Sequence, residues 1–112
     1  MTQPLSVVVA GAGGYVGGEL LRLLYQHPLV GKVTAHSRSQ LGKAIAEVHP
    51  TLLPLTSARF AGGELTELLA SHDVIMLALE HGESARLVGP LLEHQPRLLI
   101  DLAADFRVAD AA

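Results

Sequence analysis

Residues 7–19 read VVVAGAGGYVGGE, an apolar run that breaks into five closely spaced glycines and then resumes with helical spacing. Val7, Val8 and Val9 are β-branched, and a continuous apolar strand suits a parallel sheet covered on both faces. Gly11 suits a tight turn, Gly14 lets backbone approach a ligand, and Gly17 or Gly18 lets the next helix pack closely on the strand. The common G-x-G-x-x-G pattern would need glycine at 16, where this chain has Val16, so the fitting spacing is Gly11, Gly14 and Gly17. Unpaired N–H groups at the helix start, around Gly14 to Val16, would face an anion. The plainer reading is a glycine turn that serves packing alone. With a strand before it and a helix after it, the stretch predicts a dinucleotide-binding loop.

Further elements follow in alternation. Residues 15–26 read as a helix with Val16, Leu20, Leu23 and Leu24 on its apolar stripe and Leu21 broadening it, ended by His27 and Pro28. A second strand lies within 30–37, centred on Val33 to His36. Residues 39–54 form an irregular excursion with a helical turn near 43–48, and 57–60 a short strand. A short helix over 64–70 points Leu65, Leu68 and Leu69 inward. The run at 73–79, DVIMLAL, is the clearest strand after the first. Residues 83–94 form a helix with Leu87, Val88, Leu91 and Leu92 inward, bent or restarted at Gly89–Pro90. A last strand at 98–102 brings Asp101 and Asp105 near its carboxyl end. The alternation predicts a Rossmann-type, doubly wound α/β fold with a mainly parallel sheet. Strand 5–10 should be central, with 32–36 on one side and 73–79 on the other.

The chain has 112 residues, enough for one domain but small for this fold. The expectation is therefore a partial N-terminal NAD(P)-binding Rossmann domain over 1–112, a fragment whose catalytic domain is absent. Hydrophobic residues make up 49% and mean hydropathy is +0.36, which argues against disorder. Such a chain has a well-covered sheet or an extensive partner surface, as in a homo-oligomer. Net charge is −3 with no basic tract, which counts against nucleic-acid partners. The opening apolar run lacks a basic lead and is too short to span a bilayer, so neither a signal peptide nor a membrane partner is expected. There is no cysteine. No disulfide, thiolate metal site or thiol nucleophile can come from this chain, which fits a reducing compartment, and a cytoplasmic location is expected.

Cofactor choice turns on the end of the second strand. NAD binders commonly place a carboxylate there, about 20 residues after the glycines, to hold the ribose 2′-hydroxyl. Residues 34–39, THSRS with Ala35 among them, contain no acid, and Arg38 stands between Ser37 and Ser39. A guanidinium flanked by hydroxyls suits a 2′-phosphate, so NADP is favoured over NAD; the bland reading of Arg38 is a solvated loop charge. None of the six histidines forms an H-E-x-x-H metal pattern, and no metal site is assigned. His27, His72 and His94 lie at helix ends, where capping is usual. His49, in EVHP, either approaches substrate or fixes its loop, and both readings stay open. His81 and Gly82 follow the DVIMLAL strand, where His81 either shapes the nicotinamide side or satisfies a loop carbonyl. For Asp101 and Asp105, turn capping or pairing with Arg107 is preferred to catalysis. The candidate cofactor-binding residues are Gly11, Gly13, Gly14, Tyr15, Val16, Gly17, Ser37, Arg38, Ser39, His81 and Gly82, and no residue is assigned a catalytic role.

GAGGYVGGELLRLLYQHP at 11–28, SRS at 37–39, EVHP at 47–50, LALEHG at 77–82 and DLAADFR at 101–107 together resemble the N-acetyl-gamma-glutamyl-phosphate reductases of arginine biosynthesis. The resemblance runs over the whole chain. Two departures stand out, since the family usually has proline where Glu80 sits and serine where Ala103 sits. The resemblance implies an NADPH-dependent oxidoreductase that reduces an acyl phosphate to an aldehyde. It also implies a second domain with a nucleophilic cysteine and a histidine base, neither assignable here. This chain would then supply cofactor binding and be inactive alone. A reductase of carrier-bound aminoadipyl phosphate in lysine synthesis shares these motifs and is the alternative substrate reading. A non-catalytic dinucleotide-sensing module is the alternative of another class.

Overall fold

β1 (Leu5–Ala10) is the centre about which the chain is arranged, and its side chains explain why. Val7 and Val9 point to one face and Val8 and Ala10 to the other, and all four are buried. A strand with no polar face must be covered on both sides. The computed structural model describes residues 4–79 and 83–102. After β1 come α1 (Tyr15–Leu24), β2 (Val30–His36), the single turn α2 (Ile45–Val48) and a 3₁₀ turn at Pro50–Leu52. The second half holds α3 (Leu65–Leu68) running into a 3₁₀ turn at Leu69–Ser71, then β3 (Val74–Leu77), α4 (Glu83–Glu93) and β4 (Leu98–Asp101).

The four strands form one sheet in the order β2-β1-β3-β4, and every neighbouring pair is parallel. The expected neighbours of the first strand are therefore the ones observed. On one face, Val7, Val9 and Val74 pack with Leu21 and Leu24 of α1, with Ile45 and Leu52 of the excursion and with Phe60 beyond it. On the other, Val8, Ile75 and Leu77 pack with Leu65 of α3 and Leu91 of α4. Opposite the ligand-facing end, Asp73 accepts hydrogen bonds from the backbone N–H and the hydroxyl of Ser6, at 3.0 and 3.2 Å. Arg97 pairs with the other carboxylate oxygen at 2.8 Å. The Ser6 N–H, above all, holds the Asp73 carboxyl below its usual range.

Three expectations are corrected. The inward face of α1 is Gly17, Gly18, Leu21 and Leu24, whereas Val16 and Leu23 are 49% and 57% exposed. The helix turns its smallest residues inward because the preceding turn passes directly beneath Gly17 and the His49 ring lies against Gly18. Residues 57–60 make no strand. Their backbone bonds go to 42–45, with Phe60 N–H to Lys43 and Ile45 N–H to Ala58, and only Ala61, just beyond, pairs at the edge of β2. Only the isolated bridges Ala44–Arg59 and His36–Ala61 result. In α4, Pro90 lies inside a helix that runs through it, and Leu92 faces outward while Leu91 is buried.

Candidate functional site

Parallel strands deliver their carboxyl ends to one edge, and there the ends of β1, β2 and β3 converge on a cavity of about 320 Å³. The glycine loop forms its floor. Gly11 has φ +80°, a left-handed conformation that glycine adopts without steric cost. A Cβ at Gly11 would also sit on the carbonyl oxygen of Ala78, just past β3. The N–H groups of Gly11 and Ala12 both donate to the His36 carbonyl, at 3.1 and 3.0 Å, and tie the turn to the end of β2. A Cβ at Gly17 would overlap the Gly11 carbonyl and Ala12, so glycine there sets how closely α1 approaches the loop.

Gly14 differs. It is the N-cap of α1, in extended backbone, with no side-chain cap, and the first turn of α1 carries no acid. A Cβ placed on it meets nothing nearer than the Gly11 carbonyl at 3.8 Å, and Gly14 lines the cavity. The first N–H groups of any helix lack acceptors within it. Here no side chain of the cap takes their place, and an anion fits them.

The second wall is the loop after β2. Ser37 is 5% exposed, and its hydroxyl accepts the Gln40 N–H at 3.1 Å and lies 3.5 Å from the Ser39 hydroxyl. Ser37 thus shapes the turn that presents Arg38 and Ser39, both exposed, to the cavity. Leu65, Leu87, Pro90 and Leu91 provide an apolar wall suited to a flat ring, with the carboxylates of Glu64 and Glu83 also at the rim. A cation and donor groups at one end, apolar surface at the other, can hold a phosphorylated aromatic ligand.

Gly11, Gly13, Gly14, Ser37, Arg38 and Ser39 are thus brought together. Tyr15, Val16 and Gly17 do not line this cavity. Gly17 is buried on the inner face of α1, and Tyr15, 83% exposed, borders a separate groove with His49. His81 and Gly82, with Glu80, Ala103, Asp105 and Arg107, lie outside the described residues. His36 was missed. It ends β2, lines the cavity, is 4% exposed, and donates from Nε2 to the Gly63 carbonyl at 2.8 Å. The carboxyl end of a parallel strand was the signal for it. The α3 and α4 wall had no such signal. Of the histidines at helix ends, His72 is locked structurally, between Thr34 Oγ1 at 2.8 Å and the Leu68 carbonyl at 2.9 Å. No three His, Asp or Glu side chains among the described residues cluster so as to hold a metal, and no described helix is long and apolar enough to cross a membrane.

Residues 6–112 match the family described as semialdehyde dehydrogenase, NAD binding domain. The chain belongs to this family. An N-acetyl-gamma-glutamyl-phosphate reductase of Thermobifida fusca is 48% identical over 109 residues, which are 96% of this chain and 30% of that protein. A Thermomicrobium roseum protein named as a LysW-L-2-aminoadipate 6-phosphate reductase is 45% identical over 108 residues, again 96% of this chain and 30% of its own length. The chain thus spans about 30% of the length of these curated relatives. Among solved structures, aspartate semialdehyde dehydrogenase of Candida albicans, determined with NADP, superimposes with a TM-score of 0.74 at 18% identity. It covers 93% of this chain and 31% of the other. Aspartate semialdehyde dehydrogenase II of Vibrio cholerae gives 0.68 at 19%, covering 96% of this chain and 30% of the other. At these identities the structures bear on the fold alone. For this dinucleotide-binding family the residues present fit the cofactor: uncapped N–H groups, a glycine open to the cavity and a neighbouring guanidinium.

Proposed function

We propose that the chain is the cofactor-binding part of an NADPH-dependent acyl-phosphate reductase, with N-acetyl-gamma-glutamyl phosphate as the substrate. One observation carries the reading. The glycine loop and a carboxylate-free, arginine-bearing end of β2 share a cavity in a chain 48% identical to a reductase of that name. NADPH, when bound, supplies the hydride. The chain's own residues bind and orient it. N–H groups at Gly13 and the start of α1 receive the pyrophosphate, Arg38 with Ser39 pairs the 2′-phosphate, and the leucine wall of α3 and α4 excludes water from the adenine side. The thiol that accepts the acyl group has to come from elsewhere in the protein, because this chain contains no cysteine.

Arg38→Ala should weaken NADPH by roughly ten- to hundredfold and leave NADH nearly unchanged, because only NADPH presents a 2′-phosphate. Equal losses in a fluorescence titration would refute the selectivity. The substrate is tested in reverse, with NADP, inorganic phosphate and each semialdehyde, by comparing kcat/KM. The 45% identical Thermomicrobium relative favours a second reading within the same chemistry, a carrier-bound aminoadipyl phosphate. Preference for that semialdehyde, with negligible turnover of the N-acetylglutamate compound, would move the assignment to it. Tight dinucleotide binding with no turnover of any semialdehyde by the whole protein would point instead to a sensing module.

A further inference from the structure

We infer that His49 is a positioning residue for the cofactor loop: by holding the Ala12 carbonyl it aims the Gly13 N–H into the nucleotide cavity. The inference rests on the dinucleotide reading above. His49 follows α2, and its backbone is fixed on both sides. Its N–H donates to the Ile45 carbonyl at 2.8 Å, and its carbonyl accepts from Leu52 at 2.9 Å. Ile45 and Leu52 are both fully buried, so the segment is anchored in the core. The imidazole then reaches back over α1. It meets the Phe60 ring edge-on, with centroids 6.1 Å apart. Against Gly18 it fits so closely that a Cβ there would lie 2.6 Å from Cε1 and 2.7 Å from Nδ1. Nε2 lies 2.8 Å from the Ala12 carbonyl oxygen. A carbonyl only accepts, so Nε2 carries the proton, which it does in both the charged ring and one neutral tautomer.

The consequence follows from peptide geometry. In a planar trans peptide the C=O and the next N–H point in opposite directions. With the Ala12 carbonyl turned to His49, the Gly13 N–H points the other way. Gly13 lines the cavity, and its N–H has no acceptor among the described residues. The Ala12 N–H is itself tied to the His36 carbonyl at 3.0 Å, so both peptides around Ala12 are held. Glycine at 13 would otherwise let the Ala12–Gly13 plane rotate freely. The glycine loop thus owes its donor direction to a histidine 37 residues away in sequence.

The test uses the full chain and three probes: NADPH, NADH and adenosine 2′-monophosphate, which has no pyrophosphate. His49→Ala should weaken both dinucleotides by the same factor, roughly three- to tenfold, and leave the monophosphate unchanged. His49→Gln, which keeps a donor at that reach, should restore most of the loss. Gly18→Ala favours the helix but displaces the ring. It should reproduce the loss and add little when combined with His49→Ala, and it serves where His49→Ala does not fold. Arg38→Ala run in parallel should show the complementary pattern, with NADPH and the monophosphate weakened and NADH spared. Unchanged dinucleotide affinity in folded His49→Ala or Gly18→Ala would overturn the inference. So would equal weakening of all three probes, the signature of general destabilisation. If the unsubstituted chain bound neither dinucleotide, the reading beneath would fall and this inference with it.

Discussion

Gly11 and Gly14 stand in one loop and answer to different demands, which mutation can separate. Gly11 is required by the fold, through its left-handed backbone and the Ala78 carbonyl that stands where a Cβ would go. Gly11→Ala should cost about 2 kcal/mol or more of stability, read by chemical denaturation, from backbone strain and overlap together. Gly14 has space around it, and Gly14→Ala should stay within about 1 kcal/mol of the parent. The same substitution should weaken NADPH at least about tenfold, because the added methyl occupies the side on which the anion approaches. If Gly14→Ala bound NADPH normally, the pyrophosphate would not lie at the start of α1. The glycine pattern showed which positions matter. It also assigned Gly11 to the turn, Gly14 to the ligand and Gly17 or Gly18 to packing, but not what each packs against, because the Ala78 carbonyl beside Gly11 and the His49 ring beside Gly18 are far off in the chain.

At the level of elements, strands were more legible than helix faces. A buried parallel strand is a local apolar run, and β1 and β3 were visible as such. The orientation of α1 was not, because Val16 and Leu23 match the helical period as well as the residues that are buried. Close approach to the glycine turn decided the matter for Gly17, and the His49 ring decided it for Gly18. Asp73 couples the starts of β1 and β3, and its effect depends on pH. The Ser6 N–H lowers its carboxyl pKa in the folded chain below the unfolded value near 3.8. A group depressed in this way contributes stability above its unfolded pKa. The contribution is lost as pH falls through the usual carboxylate range and below. Asp73→Asn should therefore be less stable than the parent at neutral pH and flatten the acid limb of a Tm-against-pH curve. An acid limb identical to the parent's would show that the Ser6 contacts do not favour the charged form.

For the whole molecule, topology makes the site. The order β2-β1-β3-β4 brings the glycine loop, the Arg38 turn and the α3–α4 wall together at one edge of the sheet. Chemistry is another matter. A chain without cysteine cannot form a thioester, whatever its cofactor affinity. The 112-residue chain alone should bind NADPH yet turn over neither candidate semialdehyde, followed by nicotinamide absorbance. Turnover by the chain alone would require a mechanism without a thiol nucleophile.

What the sequence determined by itself were the properties carried by neighbours in the chain. These were the strand–glycine–helix opening, the alternation that makes a parallel sheet, and the missing acid and present arginine after β2. Each depends on residues a few positions apart, so their order is sufficient to reveal them. Tertiary structure alone decided which face α1 buries and that 57–60 bonds to 42–45 in the excursion and not to the sheet. It also decided that α3 and α4 wall the cavity and that His49 reaches the Ala12 carbonyl. These depend on distances between segments tens of residues apart, and only the packing of the sheet with both its covering layers sets those.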